Sequence, residues 1–313
     1  MRKPGERDIV VTALKGAVPY IRMFKHKVFV IKAGGAVFAD PDLTRHIVEQ
    51  IGLLYEVGIK CVLVHGGGPQ STSLAEALGV PARFVAGRRV TDARSLEVSA
   101  MVLNGLVNTR ILAACRDLEL PAVGMSGVDA NLIRARRRPP VDVPGEDEGL
   151  IDYGFVGDIE GVTSETLRRQ LEAGFLPVIS PLSADQSGTL LNINADTVAA
   201  ALAAALGAEK LIIATGAPGI LEDPSNPTSL VSYIDLAGLA RMKAEGRLAA
   251  GMGPKADAIC QAIEGGVRRV HVISHDLPDS LLLEVFTNEG TGTLVVADTQ
   301  SLTAAEQAAN EKE

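Results

Sequence analysis

The chain has 313 residues, 47% hydrophobic and 22% charged, which allows one large α/β domain or two lobes, each with its own core. The formal net charge of −8 argues against nucleic acid or an anionic membrane as a broad binding partner. The apolar runs are shorter than the roughly 20 residues of a membrane-spanning helix and the N-terminus lacks a signal-peptide pattern, so we expect a cytoplasmic protein.

Residues 7–24 have apolar side chains at helical spacing and predict an amphipathic helix. Its apolar face packs either on its own domain or on another subunit, and the sequence leaves both alternatives open. Short apolar segments then alternate with helical ones. We predict strands at residues 27–31, 60–64, 122–123, 132–134, 141–143, 153–156, 176–179, 190–193, 210–214, 269–273 and 293–296. We predict helices at residues 43–57, 69–78, 96–118, 165–173, 195–206, 236–245, 255–264 and 281–286.

This alternation predicts an α/β fold in which helices cover both faces of a mainly parallel open sheet. Because ligands bind at the carboxyl ends of parallel strands, the turns after residues 31, 64, 179 and 214 are the first candidates for a site. After Asp298 the composition becomes polar and alanine-rich, which predicts a flexible tail over residues 299–313.

A basic run, residues 134–138, is followed at once by two prolines and an acidic stretch. This order is typical of a solvated hairpin or loop, and we predict one here. The sequence leaves open whether residues 134–149 cover a bound substrate.

Two glycine-rich turns follow the first two predicted strands. Residues 32–35 read Lys-Ala-Gly-Gly, and residues 65–70 read His-Gly-Gly-Gly-Pro-Gln. Glycine lets the backbone approach a ligand closely, and exposed N–H groups beside a lysine suit a phosphate. Either turn alone is equally typical of an ordinary connection, but two on successive strands favour an anion site. Neither matches the Walker A or the G-x-G-x-x-G pattern.

Three further segments place polar residues at the start of a predicted helix. Residues 87–92 (GRRVTD) include an arginine that could bind a carboxylate with two hydrogen bonds, although a helix cap at Thr91 or Asp92 explains them equally well. Asn194 could cap the alanine-rich helix, with Asp196 in the first turn. Lys255 also begins a helix, where the dipole disfavours its charge, so a bound anion explains this lysine better than helix stability does.

Two separated lysines, an arginine, an aspartate and glycine turns suit phosphoryl transfer, because positioning and charge neutralisation supply most of its catalysis. No set of residues points to a serine or cysteine nucleophile with its histidine, and no histidine or cysteine cluster predicts a metal site. The sequence therefore favours a kinase.

In this order, the segments resemble the amino-acid kinase family, and most closely its N-acetylglutamate kinases. The resemblance covers about residues 20–296 and rests on VIKAGGAV, VLVHGGGPQ, GRRVTD, LNINADTVAAALA and GMGPK. It implies an αβα sandwich of two lobes, with the amino-acid substrate in residues 26–183 and ATP in residues 184–298, after an N-terminal helix within residues 1–25. The implied activity is transfer of the γ-phosphoryl of ATP to the γ-carboxylate of N-acetyl-L-glutamate, a step of arginine biosynthesis.

The resemblance implies catalytic roles for three residues. Lys32 and Lys255 would neutralise charge on the transferring phosphoryl from opposite sides, and Asp196 would hold both lysines in place. The substrate's γ-carboxylate is already ionised at neutral pH, so no enzyme base is needed. Mg²⁺ would arrive with ATP and bridge its oxygens.

Binding roles are implied for a larger set. Arg89 and Asn192 would bind the α-carboxylate and the amide of the substrate. The remaining contacts implied with the amino-acid substrate involve Gly67, Gly68 and Asn194. The contacts implied with ATP involve Gly34, Gly35, Thr215, Gly219 and Lys255.

Some positions depart from the family pattern. Gly216 replaces an aspartate that is usual in the nucleotide-binding turn, and Val128 replaces a lysine in a GKDG-like segment. Three alternatives therefore stay open: a kinase acting on an aminoadipate derivative, a kinase acting on carbamate, and a catalytically weak relative that binds arginine or nucleotide.

The N-terminal helix with PYIRMF and the late run LLLEVFTNEGTGTLV resemble the arginine-inhibited, hexameric branch of the family. In that branch the helix interlaces subunits, and arginine binds beside the late helix. The resemblance implies that Glu284 pairs with the guanidinium of an arginine effector and that Gly290 lies at the same site. It also implies a homo-oligomer, either a dimer or a hexamer.

Overall fold

The computed structural model describes residues 6–301, except residues 87, 144–148, 250 and 289. The α-helices are α1 Glu6–Phe24, α2 Pro41–Glu56, α3 Gly68–Ala77, α4 Ala93–Ala100, α5 Asn108–Asp117, α6 Glu165–Glu172, α7 Ala195–Leu206, α8 Leu236–Ala244, α9 Met252–Glu264 and α10 Ser280–Phe286. The strands are β1 Val28–Ala33, β2 Lys60–His65, β3 Arg83–Val85, β4 Arg88–Val90, β5 Ala122–Ser126, β6 Ile133–Arg137, β7 Val141–Asp142, β8 Leu150–Ile151, β9 Gly157–Val162, β10 Leu176–Ser180, β11 Leu182–Ala184, β12 Leu190–Asn192, β13 Lys210–Thr215, β14 Tyr233–Asp235, β15 Arg269–Ser274 and β16 Thr293–Val296.

Eight of these strands form the main sheet, in the order β14-β16-β15-β13-β1-β2-β10-β5. Every neighbouring pair is parallel except β15 and β16. The strands that precede residue 184 lie together, those that follow it lie together, and β1 pairs with β13 where the two groups meet. The predicted mainly parallel sheet is confirmed.

Alternate residues of the central strands face opposite layers of helices. Val30 of β1 and Val62 of β2 pack in the cluster that contains residues of α7 and α9. Ile31 and Leu63, one position further along, pack in the cluster that contains residues of α2, α5 and α10. Burial on both faces explains why these strands are almost continuously apolar. The three-layer αβα arrangement is therefore confirmed.

A second sheet, β12-β11-β6-β9, lies beyond the carboxyl end of β10, because only Pro181 separates β10 from β11. Its strand β6, Ile133–Arg137, contains most of the basic run, which we predicted to be a solvated hairpin or loop. Arg134, Arg136 and Arg137 are exposed as expected, but they lie in a sheet strand, so the loop alternative is wrong. The prediction of a strand at residues 153–156 is also wrong, since only isolated bridges at Gly154 and Val156 occur there. The predicted lobe boundary after residue 183 falls within β11.

One described helix, Ala93–Asp117, is long and apolar enough by length and composition alone to cross a membrane. Val98, Val102 and Ile111 of this helix are fully or almost fully buried in the protein core, which accounts for its apolar character. Its middle turns, Met101–Val107, are π-helical, and α-helix resumes at Asn108.

Helix α1 lies against α10, where the rings of Tyr20 and Phe286 meet edge to face. Much of its remaining surface is apolar and exposed, as at Ile9, Val10 and Leu14. Most of the predicted tail, residues 302–313, lies outside the described residues, and Thr299–Ser301 forms a 3₁₀ turn.

Candidate active site

Lys32, Asp196 and Lys255 come from three different elements and meet above the carboxyl end of β1. Lys32 is the fifth residue of β1 and lies within the strand rather than in the turn after it, so its side chain faces the α7 layer. Asn194 caps α7, accepting hydrogen bonds from the N–H groups of Asp196 and Thr197 at 2.7 and 3.3 Å. Lys255 lies in the first turn of α9.

One carboxylate binds both lysines. Lys32 Nζ lies 2.8 Å from Asp196 Oδ1, and Lys255 Nζ lies 3.8 Å from Asp196 Oδ2. The side chains of Lys32 and Asp196 are each 7% exposed, whereas that of Lys255 is 21% exposed. Burial lowers the pKa of Lys255 and Lys32 lowers it further, while Asp196 opposes both effects. Two cations share a single anion, so an additional negative group would be stabilised here.

The two glycine turns pack against each other at the edge of this cluster. Gly66 N–H donates to Ala33 O at 2.9 Å, which continues the pairing of β1 with β2 beyond the strand ends. A Cβ atom at Gly35 would lie 2.8 Å from Pro69 Cδ, and one at Gly67 would lie 2.7 Å from Leu103 Cδ2. Close packing therefore favours glycine at both positions.

Arg89 belongs to the β3–β4 hairpin, which forms another wall of the cleft. Its Nη2 donates to Thr72 Oγ1 at 2.5 Å, and its guanidinium lies 4.8 Å from the centre of the Phe84 ring. Partial burial lowers the pKa of Arg89. Asp92 is the cap of α4, accepting from Ser95 N–H at 2.7 Å, so the capping and cleft-facing interpretations of residues 87–92 hold together.

These groups line a cleft of about 1200 Å³, large enough for two small ligands at once. The structure brings most of the predicted site residues to it. The predicted residues that line it are Lys32, Gly34, Gly35, Gly67, Gly68, Arg89, Asn192, Asn194 and Asp196. Thr215, Gly219 and Lys255 are not among the lining residues. Thr215 ends β13 beside Ser274, Gly219 packs against Thr293, and Lys255 contacts Asp196, which does line the cleft.

Arg138 and Asp158 are among the cleft residues that were missed from the sequence. Arg138 follows β6, and its Nε and Nη2 donate to Asp158 Oδ1 at 2.8 and 2.7 Å. Both side chains line the cleft. The last arginine of the basic run is thus a cleft residue. The signal that could have indicated it is its position directly after a strand with alternating buried residues.

The two departures from the family pattern lie in different surroundings. Gly216 lies near His275 and Asp276, and a Cβ atom there would be in ordinary contact, at 3.7 Å or more. Val128 is 44% exposed and precedes the 3₁₀ turn Asp129–Asn131.

A second cavity of about 270 Å³ contains Glu284 and Gly290, the residues predicted for an effector. It lies between α1 and α10, at the amino ends of β13 and β15. Lys210 Nζ lies 2.8 Å from His271 Nε2, and His271 Nδ1 lies 2.5 Å from Glu284 Oε1. Gly290 has φ +62°, and a Cβ atom there would lie 3.0 Å from Glu284 Oε2.

Hydrogen bonds stabilise the charged form of Glu284 in this cavity. Burial raises the pKa of Glu284, but the hydrogen bonds from His271 and Thr291 outweigh it and hold the pKa at about 2. Burial and the charge of Lys210 lower the pKa of His271. The ring is therefore neutral at pH 7 and joins a lysine cation to a glutamate anion.

Residues 27–274 match the family model described as "Amino acid kinase family". The chain belongs to the amino acid kinase family. The acetylglutamate kinase of Myxococcus xanthus is 51% identical over 290 residues, covering 92% of this chain and 94% of that protein. The acetylglutamate kinase of Archaeoglobus fulgidus is 45% identical over 285 residues, covering 91% of this chain and 98% of that protein.

Solved structures of other proteins share the fold of this amino acid kinase. An N-acetylglutamate synthase of Neisseria gonorrhoeae, complexed with coenzyme A and L-arginine, superposes with a TM-score of 0.78 at 28% identity over 92% of this chain. The chain spans 65% of that synthase's length. Carbamate kinase from Giardia lamblia, bound to AMP-PNP, covers 87% of this chain and 99% of its own with a TM-score of 0.62 at 18% identity, which supports the fold alone.

Proposed function

We propose that the protein is an acetylglutamate kinase, which transfers the γ-phosphoryl of ATP to the γ-carboxylate of N-acetyl-L-glutamate in arginine biosynthesis. The observation that carries the proposal is that Lys32 and Lys255 converge on Asp196 beside two glycine turns. The names of relatives at 51% and 45% identity, over almost their whole lengths, agree with it.

The chemistry follows from the charge of the cluster. Negative charge spreads over the phosphoryl oxygens as the group leaves ADP, and Lys32 and Lys255 stabilise it from two elements of the fold. Asp196 fixes both ammonium groups in advance, so little reorganisation occurs during the reaction. The attacking γ-carboxylate is ionised at pH 7 and displaces ADP, forming an acyl phosphate without a proton transfer.

We assign the amino-acid substrate to the part of the cleft bounded by Arg89, Asn192 and Asn194. Arg89 would bind the α-carboxylate through its guanidinium, and Asn192 would bind the acetamido group. The N–H groups of Gly67 and Gly68 would complete the site. Support comes from the position of all five residues in the wall of one cleft.

We assign ATP to residues 184–298 and the amino acid to residues 26–183, so that the phosphoryl crosses the junction of β1 with β13. Gly34, Gly35 and Lys255 would contact the phosphates, and Thr215 and Gly219 would lie beside the nucleotide. Among the described residues, no three histidine, cysteine, aspartate or glutamate side chains could hold a metal ion together. We therefore assign Mg²⁺ to the phosphate oxygens of ATP, where it would neutralise negative charge.

The test is an ADP-release assay of the native protein with N-acetyl-L-glutamate, an N-acylated aminoadipate and carbamate. We expect the highest kcat/KM with N-acetyl-L-glutamate. Preference for either of the other acceptors would replace the substrate assignment. Absence of turnover with all three, in a folded protein that still binds nucleotide, would contradict the kinase proposal in favour of a binding relative.

The catalytic assignment is tested separately with Lys32→Ala and Lys255→Ala. We expect kcat to fall about 10²-fold or more in each, with KM for ATP changing much less, because both charges act mainly on the transition state. Lys27→Ala is the control, since Lys27 also lies next to β1 but its side chain is 53% exposed and pairs with Glu209. Native kcat in either active-site variant would contradict the assignment.

We further propose that the second cavity binds free arginine as an inhibitor and that the protein is a homo-oligomer, a dimer or a hexamer, whose subunits contact through α1. Glu284 is a buried carboxylate in the wall of this cavity, and Met23, one of the exposed apolar residues of α1, also lines it. Millimolar arginine should lower kcat and raise the melting temperature, and Glu284→Gln should remove both effects. Unchanged activity and melting temperature in the native protein would exclude this role.

A further inference from the structure

His65 is a buried histidine that the proposed mechanism does not use. It is the last residue of β2, and its side chain faces the α5 layer with no exposed surface. Burial lowers the pKa of His65 to about 4, although the Gly66 carbonyl opposes this. At pH 7 the ring is therefore neutral, with one nitrogen that donates a hydrogen bond and one that accepts.

Asn108, the first residue of α5, determines which nitrogen carries the proton. Its Nδ2 lies 3.0 Å from Val178 O, an atom that can only accept, so this end of the side chain is the NH₂ group. The same Nδ2 lies 3.1 Å from His65 Nε2, which must then be the accepting nitrogen. The proton is left on Nδ1, which donates to Gly66 O at 3.0 Å.

This hydrogen bond orients a peptide group in the wall of the cleft. In a planar trans peptide the carbonyl and the following N–H point in opposite directions. Because His65 holds the carbonyl of Gly66, the N–H of Gly67 points the other way. Gly67 lines the cleft, and its N–H donates to no acceptor among the described residues, so it remains free for a ligand oxygen.

Two local features place Asn108 within reach of His65. The π-helical turns Met101–Val107 end immediately before it, and such turns often occur where a helix must present a functional side chain. On the other side, a Cβ atom at Gly124 would collide with Asn108 Oδ1. The helix and the facing strand β5 are therefore both adapted to this one amide.

We propose that His65 and Asn108 are positioning residues, which fix the direction of the Gly67 N–H so that it meets the phosphoryl group or the acyl substrate. The inference rests on the proposed phosphoryl transfer. Neither residue touches the reacting atoms, because both act through the Gly66–Gly67 peptide.

Two substitutions of His65 separate its two hydrogen bonds. His65→Asn keeps an NH₂ donor near the position of Nδ1 and so retains the bond to Gly66 O. His65→Gln places its amide near the position of Nε2, and so retains the contact with Asn108 but not the bond to Gly66. We expect kcat to be at least ~10-fold lower in the glutamine variant than in the asparagine variant, since a group misplaced by about 1 Å can cost ~10²-fold. The two melting temperatures should be similar.

Ser180→Ala is the matched control. It removes the hydrogen bond from Ser180 to Asn104. Asn104 also belongs to the π-helical turns, but this bond does not involve the glycine turn. Its kcat should stay within about twofold of native, as expected when a group outside the reaction is lost. Equal kcat in the two His65 variants would overturn the inference. So would kcat differences that merely parallel the differences in melting temperature.

A measurement that does not depend on turnover distinguishes this inference from the proposed function. The ¹⁵N chemical shifts of His65 in the labelled native protein should show a protonated Nδ1 and an unprotonated Nε2 at pH 7. The opposite tautomer would overturn the positioning role even in an active kinase. The expected tautomer in a protein without kinase activity would instead contradict the proposed function alone.

Discussion

The two ends of the paired strands β1 and β13 each carry a buried lysine, in contrasting surroundings. Lys32, near the carboxyl end of β1, shares Asp196 with Lys255. Lys210, at the amino end of β13, is joined through neutral His271 to Glu284. In the first cluster two cations share one anion, whereas at the other end a hydrogen-bonded histidine joins the lysine to the glutamate.

The difference between the Lys32 and Lys210 clusters shows which kind of buried charge indicates a catalytic site. In the hydrogen-bonded chain each of the three groups has a partner, so the chain can stabilise the fold even when the second cavity is empty. The cluster at the carboxyl end is left one negative charge short and faces free glycine N–H groups, so it suits an incoming phosphoryl group. Excess charge beside an open cleft, rather than burial alone, distinguishes the catalytic end of the sheet.

The largest effect is expected for Asp196→Asn. Without the shared carboxylate the two ammonium groups repel each other, and kcat should fall by ~10²–10³-fold, the range for loss of one preorganised electrostatic group. Steady-state kinetics with N-acetyl-L-glutamate and ATP measures this. Asp117→Asn is the control, because that side chain is 62% exposed and pairs with Arg45 at the surface. Similar kcat in the two variants would show that the shared carboxylate does not contribute to catalysis.

Glu284→Gln should act mainly on stability. Its pKa is about 2 in the folded protein against an ordinary 4.5, which corresponds to about 3 kcal/mol of unfolding free energy. Because the folded pKa is lowered, this stabilisation is complete above pH 4.5 and is lost as the pH falls through about 2. Urea denaturation should therefore show a loss of about 3 kcal/mol at pH 7 that shrinks in acid. A difference that stays constant down to pH 3 would contradict the charge pairing.

His65 should make the unfolding free energy depend on pH at higher pH values than Glu284 does. Its pKa is about 4 when folded and 6.5 when unfolded, so the unfolded chain takes up the proton first as the pH falls. The contribution should be constant above pH 6.5 and should lower stability by about 2 kcal/mol between pH 7 and pH 5. His65→Asn, compared with the native protein across this range, should lack that slope. Parallel pH curves would show that His65 is not buried as a neutral ring.

The smallest effect is expected for the packing of the glycine turn. In Gly67→Ala the new Cβ would lie 2.7 Å from Leu103 Cδ2, and relief of this overlap should cost about 1–2 kcal/mol of unfolding free energy. Gly68→Ala is its matched control, because no atom lies within 4 Å of that position. Chemical denaturation of both should show a loss in the first alone. Equal stability would mean that the turn has room to move.

The order of strands and helices could be predicted from the sequence because its signals are local. Helix α7 and strand β16 have the predicted bounds, and both are continuous apolar segments between polar residues. Strands β3 and β14 were missed, since three residues are too few to show a period and their pairing depends on distant segments. The strand formed by the basic run could not be foreseen, because its partner β9 lies far along the chain.

Part of the candidate site could also be predicted. Glycine turns at strand ends indicated where Lys32 would lie, and a cap signal indicated Asp196. Asn104 and Asn108, four residues apart in the helix Ala93–Asp117, were the signal that polar contacts form on this face of the helix, with Ser180 for the first and His65 for the second. Their partners could not be foreseen, because the π-helical turns that direct them have no sequence signature independent of the surrounding packing.

The pairing of β1 with β13 also determines whether fragments of the chain can be expressed separately. Five residue pairs, from Phe29 with Lys210 to Ala33 with Ala214, join the two halves of the main sheet edge to edge. A fragment that stops before β13 would leave the buried, apolar β1 as a bare edge with unpaired N–H and C=O groups. Neither half of the chain is therefore suited to recombinant expression alone, since each would expose an unpaired strand edge that promotes aggregation.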